Sequence, residues 1–132
     1  MAERKTMRRA RKAKREGKAP TTQAGEFVRE EIEHVRRGKH GARSTKQAIA
    51  IGLSKARRAG VKLPPPSRGK VSGRTRRKAA RDYQRGQRGK RRRPSGKRAR
   101  AVLRALKREG RSAASSRALS RQAKQRARRR RA

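Results

Sequence analysis

Large apolar residues gather in one stretch of this chain, with Phe27, Val28, Ile32, Val35, Ile49, Ile51, Leu53, Val61 and Leu63 all falling within residues 26–63. Val28, Ile32 and Val35 recur at helical spacing, the mark of a helix with one buried face. Glu26, Glu30, Glu31 and Glu33 give way to Arg36 and Arg37, an order that suits the helix dipole. The pattern predicts a helix from about Thr22 to Arg37, then a turn at Gly38 and Gly41. Ser44-Thr45-Lys46-Gln47 fits the S-x-x-Q capping arrangement at the head of Ala48-Ile49-Ala50-Ile51. A second helix is expected from Thr45 to Ala59. Gly60 would cap it in the left-handed region, Val61 would fold back on its last turn, and Pro64-Pro65-Pro66 forbids continuation. On this helix Ile49, Leu53 and Ala56 share a face expected to meet Val28, Ile32 and Val35. Ala48, Gly52 and Ala59 form a smooth strip beside it, and Ile51 falls nearly opposite, to be covered by Val61 and Leu63 or by another copy.

Outside this stretch the apolar signal is thinner. Residues 67–96 mix Gly, Ser, Pro and Arg, with a short helix around Arg74 to Arg85 that contains the lone Tyr83. From Lys97 onward Ala99, Val102, Leu103 and Leu106 again have helical spacing, ended by Gly110. Ser112 or Ser115 would cap a last helix through Leu119, Ala123 and Ala127. Arg11-x-x-Lys14-Arg15-Glu16-Gly17 recurs as Arg104-x-x-Lys107-Arg108-Glu109-Gly110, one helix-ending pattern near each end of the chain.

Composition sharpens the picture. Hydrophobic residues are 29% of the chain, many of them alanine, and 47 Lys and Arg face 8 Asp and Glu, for a net charge of +39. Low hydrophobicity with high net charge marks a chain that struggles to offset its ordering entropy. The expected fold class is therefore all-α: a small helical hairpin with long basic, partly disordered or conditionally helical arms. Its parts are a basic N-terminal arm (1–21), the hairpin (22–63), a Pro/Gly/Arg-rich linker (64–96) and a basic helical C-terminal tail (97–132). About forty residues seldom stabilise themselves without metal, disulfide or association, so a homo-oligomer and folding on a ligand are both open. The absence of cysteine excludes disulfides, thiolate metal sites and cysteine nucleophiles. Met1 to Lys5 has no apolar leader region and no segment is long enough to cross a bilayer, so a cytoplasmic, nucleoid-associated protein without membrane contact is expected.

Charge points to the partner. Residues 64–132 hold 28 basic and 2 acidic side chains, and so dense an excess attracts phosphate at long range. Basic tracts such as Arg8-Arg9-Ala10-Arg11-Lys12, Lys90-Arg91-Arg92-Arg93 and Arg126 to Arg131, with Arg128, Arg129, Arg130 and Arg131 at the end, match phosphate binding by counterion release. Readers of single strands need aromatic platforms, and this chain has one Phe, one Tyr and no Trp. Phe27 reads as core. DNA is thus favoured over RNA as the nucleic-acid partner. The best-defined contact is expected in residues 39–47, where Lys39, His40, Arg43, Ser44, Thr45 and Lys46 combine cations, a Gly-permissive turn and backbone N–H groups at a helix start. A capped turn is the alternative for the same residues, and Arg57 and Arg58 add cations at the helix end. Glu26, Glu30 and His34 share a helix face at i, i+4 and i+8, where ion pairing with Arg29, Arg36 and Arg37 is favoured over a metal. No nucleophile–base pair or nucleotide fingerprint is recognisable, so neither an enzyme nor a cofactor is expected.

The run from Gly25-Glu26-Phe27-Val28-Arg29-Glu30-Glu31 through Lys39-His40-Gly41, continuing as Ser44-Thr45-Lys46-Gln47-Ala48-Ile49-Ala50-Ile51-Gly52-Leu53-Ser54-Lys55-Ala56-Arg57-Arg58-Ala59-Gly60, resembles small basic bacterial proteins of an uncharacterised family, often labelled plasmid-stabilisation or DNA-binding proteins. The resemblance is clearest over residues 22–63; it implies bacterial origin and DNA association and no catalytic residue. The functional expectation is sequence-tolerant binding of duplex DNA through its phosphates, with compaction or bridging as a consequence. The alternatives are a structured-RNA or ribosome-associated protein, and a protein-interaction module with basic recruiting tails.

Overall fold

A computed structural model describes residues 3–89 and 95–131. Among these described residues six α-helices follow one another: α1 (Arg4–Arg15), α2 (Pro20–Arg36), α3 (Thr45–Arg58), α4 (Gly73–Arg88), α5 (Gly96–Lys107) and α6 (Ser116–Arg131), with a short 3-10 turn (Ser112–Ala114) ahead of the last. Two compact units divide the chain, one from Met1–Glu30 and Ile51–Arg93, the other from Glu31–Ala50 and Pro94–Ala132. Both α2 and α3 contribute residues to each.

The chain is all-α, but it is not a two-helix hairpin with loosely ordered arms: the segments expected to be arm, linker and tail carry four further helices, of which α1 and α4 bury side chains. In the first unit α1 buries Thr6, Ala10 and Ala13, and α4 buries Ala79 and Asp82. The core there is Ala10, Ala24, Phe27, Ala56 and Val61, with Met7, Leu53, Ala59 and Leu63 packed against it. Polar anchors fix both added helices. The Glu30 carboxylate accepts from the Glu3 backbone N–H at 2.5 Å and the Thr6 hydroxyl at 3.1 Å, holding the start of α1, while Lys55 stands 3.8 Å from its other oxygen. Ser54 donates to Asp82 at 2.7 Å and the Gln87 amide to the Gly60 carbonyl at 3.1 Å, holding α4.

The hairpin expectation fails for a physical reason. Among the described residues nine of the thirteen buried hydrophobic ones are alanine, so a shortage of large side chains does not prevent close packing. Small residues let helix backbones approach, and burial is then spread over many short contacts. The inward face of α3 shows this: it is the small strip Ala48, Gly52 and Ala56 that is buried, while Ile49 and Leu53 lie half-buried beside it. A Cβ added at Gly52 would come within 2.6 Å of the Val28 Cα, so only glycine permits that crossing.

In the second unit, backbone carbonyls of the C-terminal segment are captured by α2 and α3. Arg36 donates to the Ala114 carbonyl at 2.9 Å, Thr45 to that of Ala113 at 2.6 Å, and the Gly41 and Ala42 N–H groups to those of Leu106 and Gly110 at 2.8 and 3.0 Å. Ile32, Val35, Ala42, Ala48, Ala113 and Ala114 are buried. α5 differs: none of its residues is buried, and Val102 and Leu103 are 54% and 41% exposed.

Local signals fared well where they concerned helix ends. α2 and α3 match the predicted pair within about two residues. At Gly60 the backbone is left-handed (φ 98°), with Gly60 N–H to the Arg57 carbonyl and Val61 N–H to the Ala56 carbonyl, and Val61 joins the core as expected. The Ser44 hydroxyl caps the Gln47 N–H at 3.2 Å, and the Gln47 side chain returns to the Arg43 N–H at 2.5 Å, one residue earlier than the standard reciprocal bond. Ser72, Ser95 and Ser115 cap α4, α5 and α6. The repeated helix-ending pattern is not repeated in structure: Gly17 has positive φ, and Gly110 does not. No helix among the described residues is long and apolar enough to cross a membrane.

Candidate nucleic-acid interface

Exposed cations lie in a recurring register. On α1, Arg4, Arg8, Arg11 and Arg15 occupy i, i+4, i+7 and i+11; on α4, Arg74, Lys78, Arg81 and Arg85 repeat those offsets, and on α6, Arg117, Arg121, Lys124 and Arg128 do so again. At 100° per residue such a set forms one narrow stripe. All twelve side chains are exposed. The packed positions lie off the stripes: Thr6, Ala10 and Ala13 opposite it on α1, Ala79 across from it and Asp82 beside it on α4, and half-buried Ala118, Leu119 and Gln122 away from it on α6. Packing therefore decides which way each stripe looks. Each spans ~16 Å, over which duplex DNA presents roughly ten phosphates.

The loop expected to make the defined contact is built differently. Lys39, Arg43, Ser44 and Lys46 are exposed, whereas His40 and Thr45 are buried. Several of its backbone N–H groups are engaged within the chain: Gly41 with Leu106, Ala42 with Gly110, Arg43 with the Gln47 side chain, and Gln47 with Ser44. A Cβ at Gly41 would collide with the Glu109 carbonyl, so this loop is fitted to its own C-terminal segment. Arg43 also stands 4.0 Å from Glu109.

Arg57 too is turned inward. It donates to the carbonyls of Leu63 and Pro64, both at 3.2 Å, and so tethers the triple proline to the end of α3. Burial pushes its guanidinium below the ordinary arginine range, and the Asp82 carboxylate pushes it partly back. Arg58 is exposed, with its Nε 3.4 Å from the Ser54 carbonyl. Arg128 and Arg129 are exposed on α6. Lys90, Arg91, Arg92 and Arg93 lie outside the described residues, as do the side chains of Arg130 and Arg131. Of the α1 stripe, Arg8 and Arg11 lie in a tract that the sequence matches to phosphate binding; Arg4, Arg15 and the α4 stripe are not singled out by sequence, although their offsets are there to be read, and the missing signal is which face of each helix is buried.

The chain's two histidines meet at one buried acid. Glu31 is 0% exposed; His40 Nε2 stands 3.2 Å from its Oε2 and His34 Nδ1 3.9 Å from its Oε1. The two rings are 6.0 Å apart and nearly perpendicular. Glu26, Glu30 and His34, which share a helix face by spacing, are divided in use: Glu30 holds α1, and His34 pairs with Glu31.

No curated protein and no solved structure matches the chain. A family model does match residues 3–68, half of the chain and all of α1, α2 and α3: the chain belongs to DUF6496, a family of unknown function.

Proposed function

We propose that this protein is a nonenzymatic, sequence-tolerant nucleic-acid-binding protein whose main partner is duplex DNA. The observation that carries the reading is the stripe of four cations at i, i+4, i+7 and i+11 on α1, α4 and α6, each on the exposed side of a helix packed through its other side. Helices held in this way present guanidinium and ammonium groups at a fixed spacing, so less side-chain ordering is needed on binding than for a loose tail. Lysine and arginine to phosphate give affinity without base readout. Scarcity of aromatic residues removes the stacking platforms that single strands require. A nucleoid-associated setting, with compaction or bridging of DNA, belongs to the same proposal, and a bacterial origin is what the family resemblance over residues 22–63 implies.

Fluorescence anisotropy with unrelated duplexes tests it. Binding should be comparable across sequences and should weaken steeply with salt, with a slope of log affinity on log salt near −9 if roughly ten phosphates are neutralised. Strong preference for one operator, weak salt dependence, or preferential capture of structured RNA at matched salt would each overturn the DNA reading.

A further inference from the structure

We propose that Glu31, His34 and His40 form a binding site for one divalent transition-metal ion of the zinc or cobalt class. The chain has only two histidines and no cysteine, and the fold brings both histidines to the same buried carboxylate. Local sequence explains how. Glu31 and His34 sit at i and i+3 on the last turns of α2, so both project from one face. Gly38, at φ 77°, then reverses the chain, and the Gly41 and Ala42 bonds to Leu106 and Gly110 fix the returning loop, which sets His40 against Glu31.

The tautomer of His40 carries the argument. Its Nδ1 lies 2.9 Å from the Gly41 carbonyl oxygen, which can only accept, so Nδ1 bears the proton. The Nε2 of a neutral ring then presents a lone pair to a carboxylate oxygen 3.2 Å away. Two acceptors at that distance repel unless a positive centre, a second proton or a metal ion, lies between them. A backbone carbonyl on the far nitrogen is also the arrangement that orients metal-binding imidazoles. One ligand atom from each of the three residues can be chosen so that all lie within 4.8 Å of one another. With metal–ligand bonds of about 2.0–2.1 Å, a tetrahedral ion needs its ligand atoms ~3.3 Å apart, so closure requires only small side-chain rotations. Two imidazole nitrogens and one carboxylate favour borderline transition metals over magnesium or calcium. Three protein ligands leave at least one position for water.

The test uses the full-length protein without a polyhistidine tag, freed of nucleic acid and stripped with chelator. Zinc chloride is titrated while the imidazole nitrogens are followed by NMR, where two histidines give an unambiguous spectrum. Both rings should shift together and saturate at one equivalent of zinc, and cobalt chloride should give visible absorption bands with the same endpoint. His34→Gln and His40→Gln should each weaken binding by more than about tenfold, since losing even an outer-shell partner costs about 10–100-fold; Lys39→Gln should not. Rings that do not move, or cobalt uptake without a one-equivalent endpoint, would overturn the proposal and leave an imidazolium–carboxylate pair in its place. Should a histidine variant unfold, the wild-type imidazole titration decides alone.

Discussion

Phe27 is the largest fully buried side chain of the described residues, and it sits among alanines that cannot collapse far into a gap. Phe27→Ala should therefore cost about 3–5 kcal/mol, while Leu53→Ala, at a half-buried position on the rim of the same cluster, should cost clearly less. Thermal or urea denaturation of the two variants checks the order, and equal losses would contradict the placement of the core. Gly41 is a second sensitive residue, because a Cβ there would run into the Glu109 carbonyl. Gly41→Ala should destabilise by about 1–3 kcal/mol through overpacking and should speed hydrogen exchange of the Gly41 and Ala42 amides. At the surface, the Lys18 hydrogen bond, and then the charges of Lys18, Lys12 and Arg15, hold the Glu16 carboxyl below its ordinary value. A depressed carboxylate stabilises the folded state above its unfolded value, and that contribution is lost as pH falls through the lowered one. Lys18→Ala should raise the Glu16 midpoint in an NMR titration, by less at high salt because the group is exposed.

Among the elements, α4 divides its labour most cleanly. Ser72 caps its start, Ala79 and Asp82 are buried, and Ser54 and Gln87 fix it to neighbouring backbone and side chains. Changing Arg74, Lys78, Arg81 and Arg85 together to Gln keeps helix propensity and leaves every one of these anchors in place. DNA affinity should then fall, and the magnitude of the salt slope should drop by about 3–4 if all four cations meet phosphate. Circular dichroism should be unchanged. An unaltered slope with intact helicity would show that the α4 stripe does not face the nucleic acid.

At the scale of the whole molecule, α1 completes a core that α2 and α3 cannot close by themselves. Glu30 lies buried beneath Glu3 and Thr6, and Phe27 and Ala56 share a cluster with Ala10. An excised 22–63 fragment would expose that cluster and leave Glu30 without its partners on α1. It should lack cooperative melting and most of its helical circular dichroism, whereas the full chain should show both. A stably helical fragment would restore the independent hairpin.

What the sequence determined by itself was local. Apolar spacing in residues 22–37, the Ser44–Gln47 cap, the Gly60 reversal and the triple proline each act within a few residues, so α2 and α3 could be read with their ends, and Ser115 was one of two caps offered for the last helix. The net charge of +39 likewise needs no fold. Tertiary structure decided what depends on distant partners. It turned an alanine-rich chain into two packed units, because small side chains gain burial only when a specific neighbour comes close, as Val28 does at Gly52. It also turned His40, Thr45 and Arg57 inward, since each finds a buried acceptor elsewhere in the chain: Glu31, the Ala113 carbonyl, and the Leu63 and Pro64 carbonyls. And by burying Thr6, Ala10 and Ala13 on α1 and Ala79 and Asp82 on α4, it set which faces of those helices stay exposed, a choice that periodicity alone leaves undetermined when basic residues occur on every face.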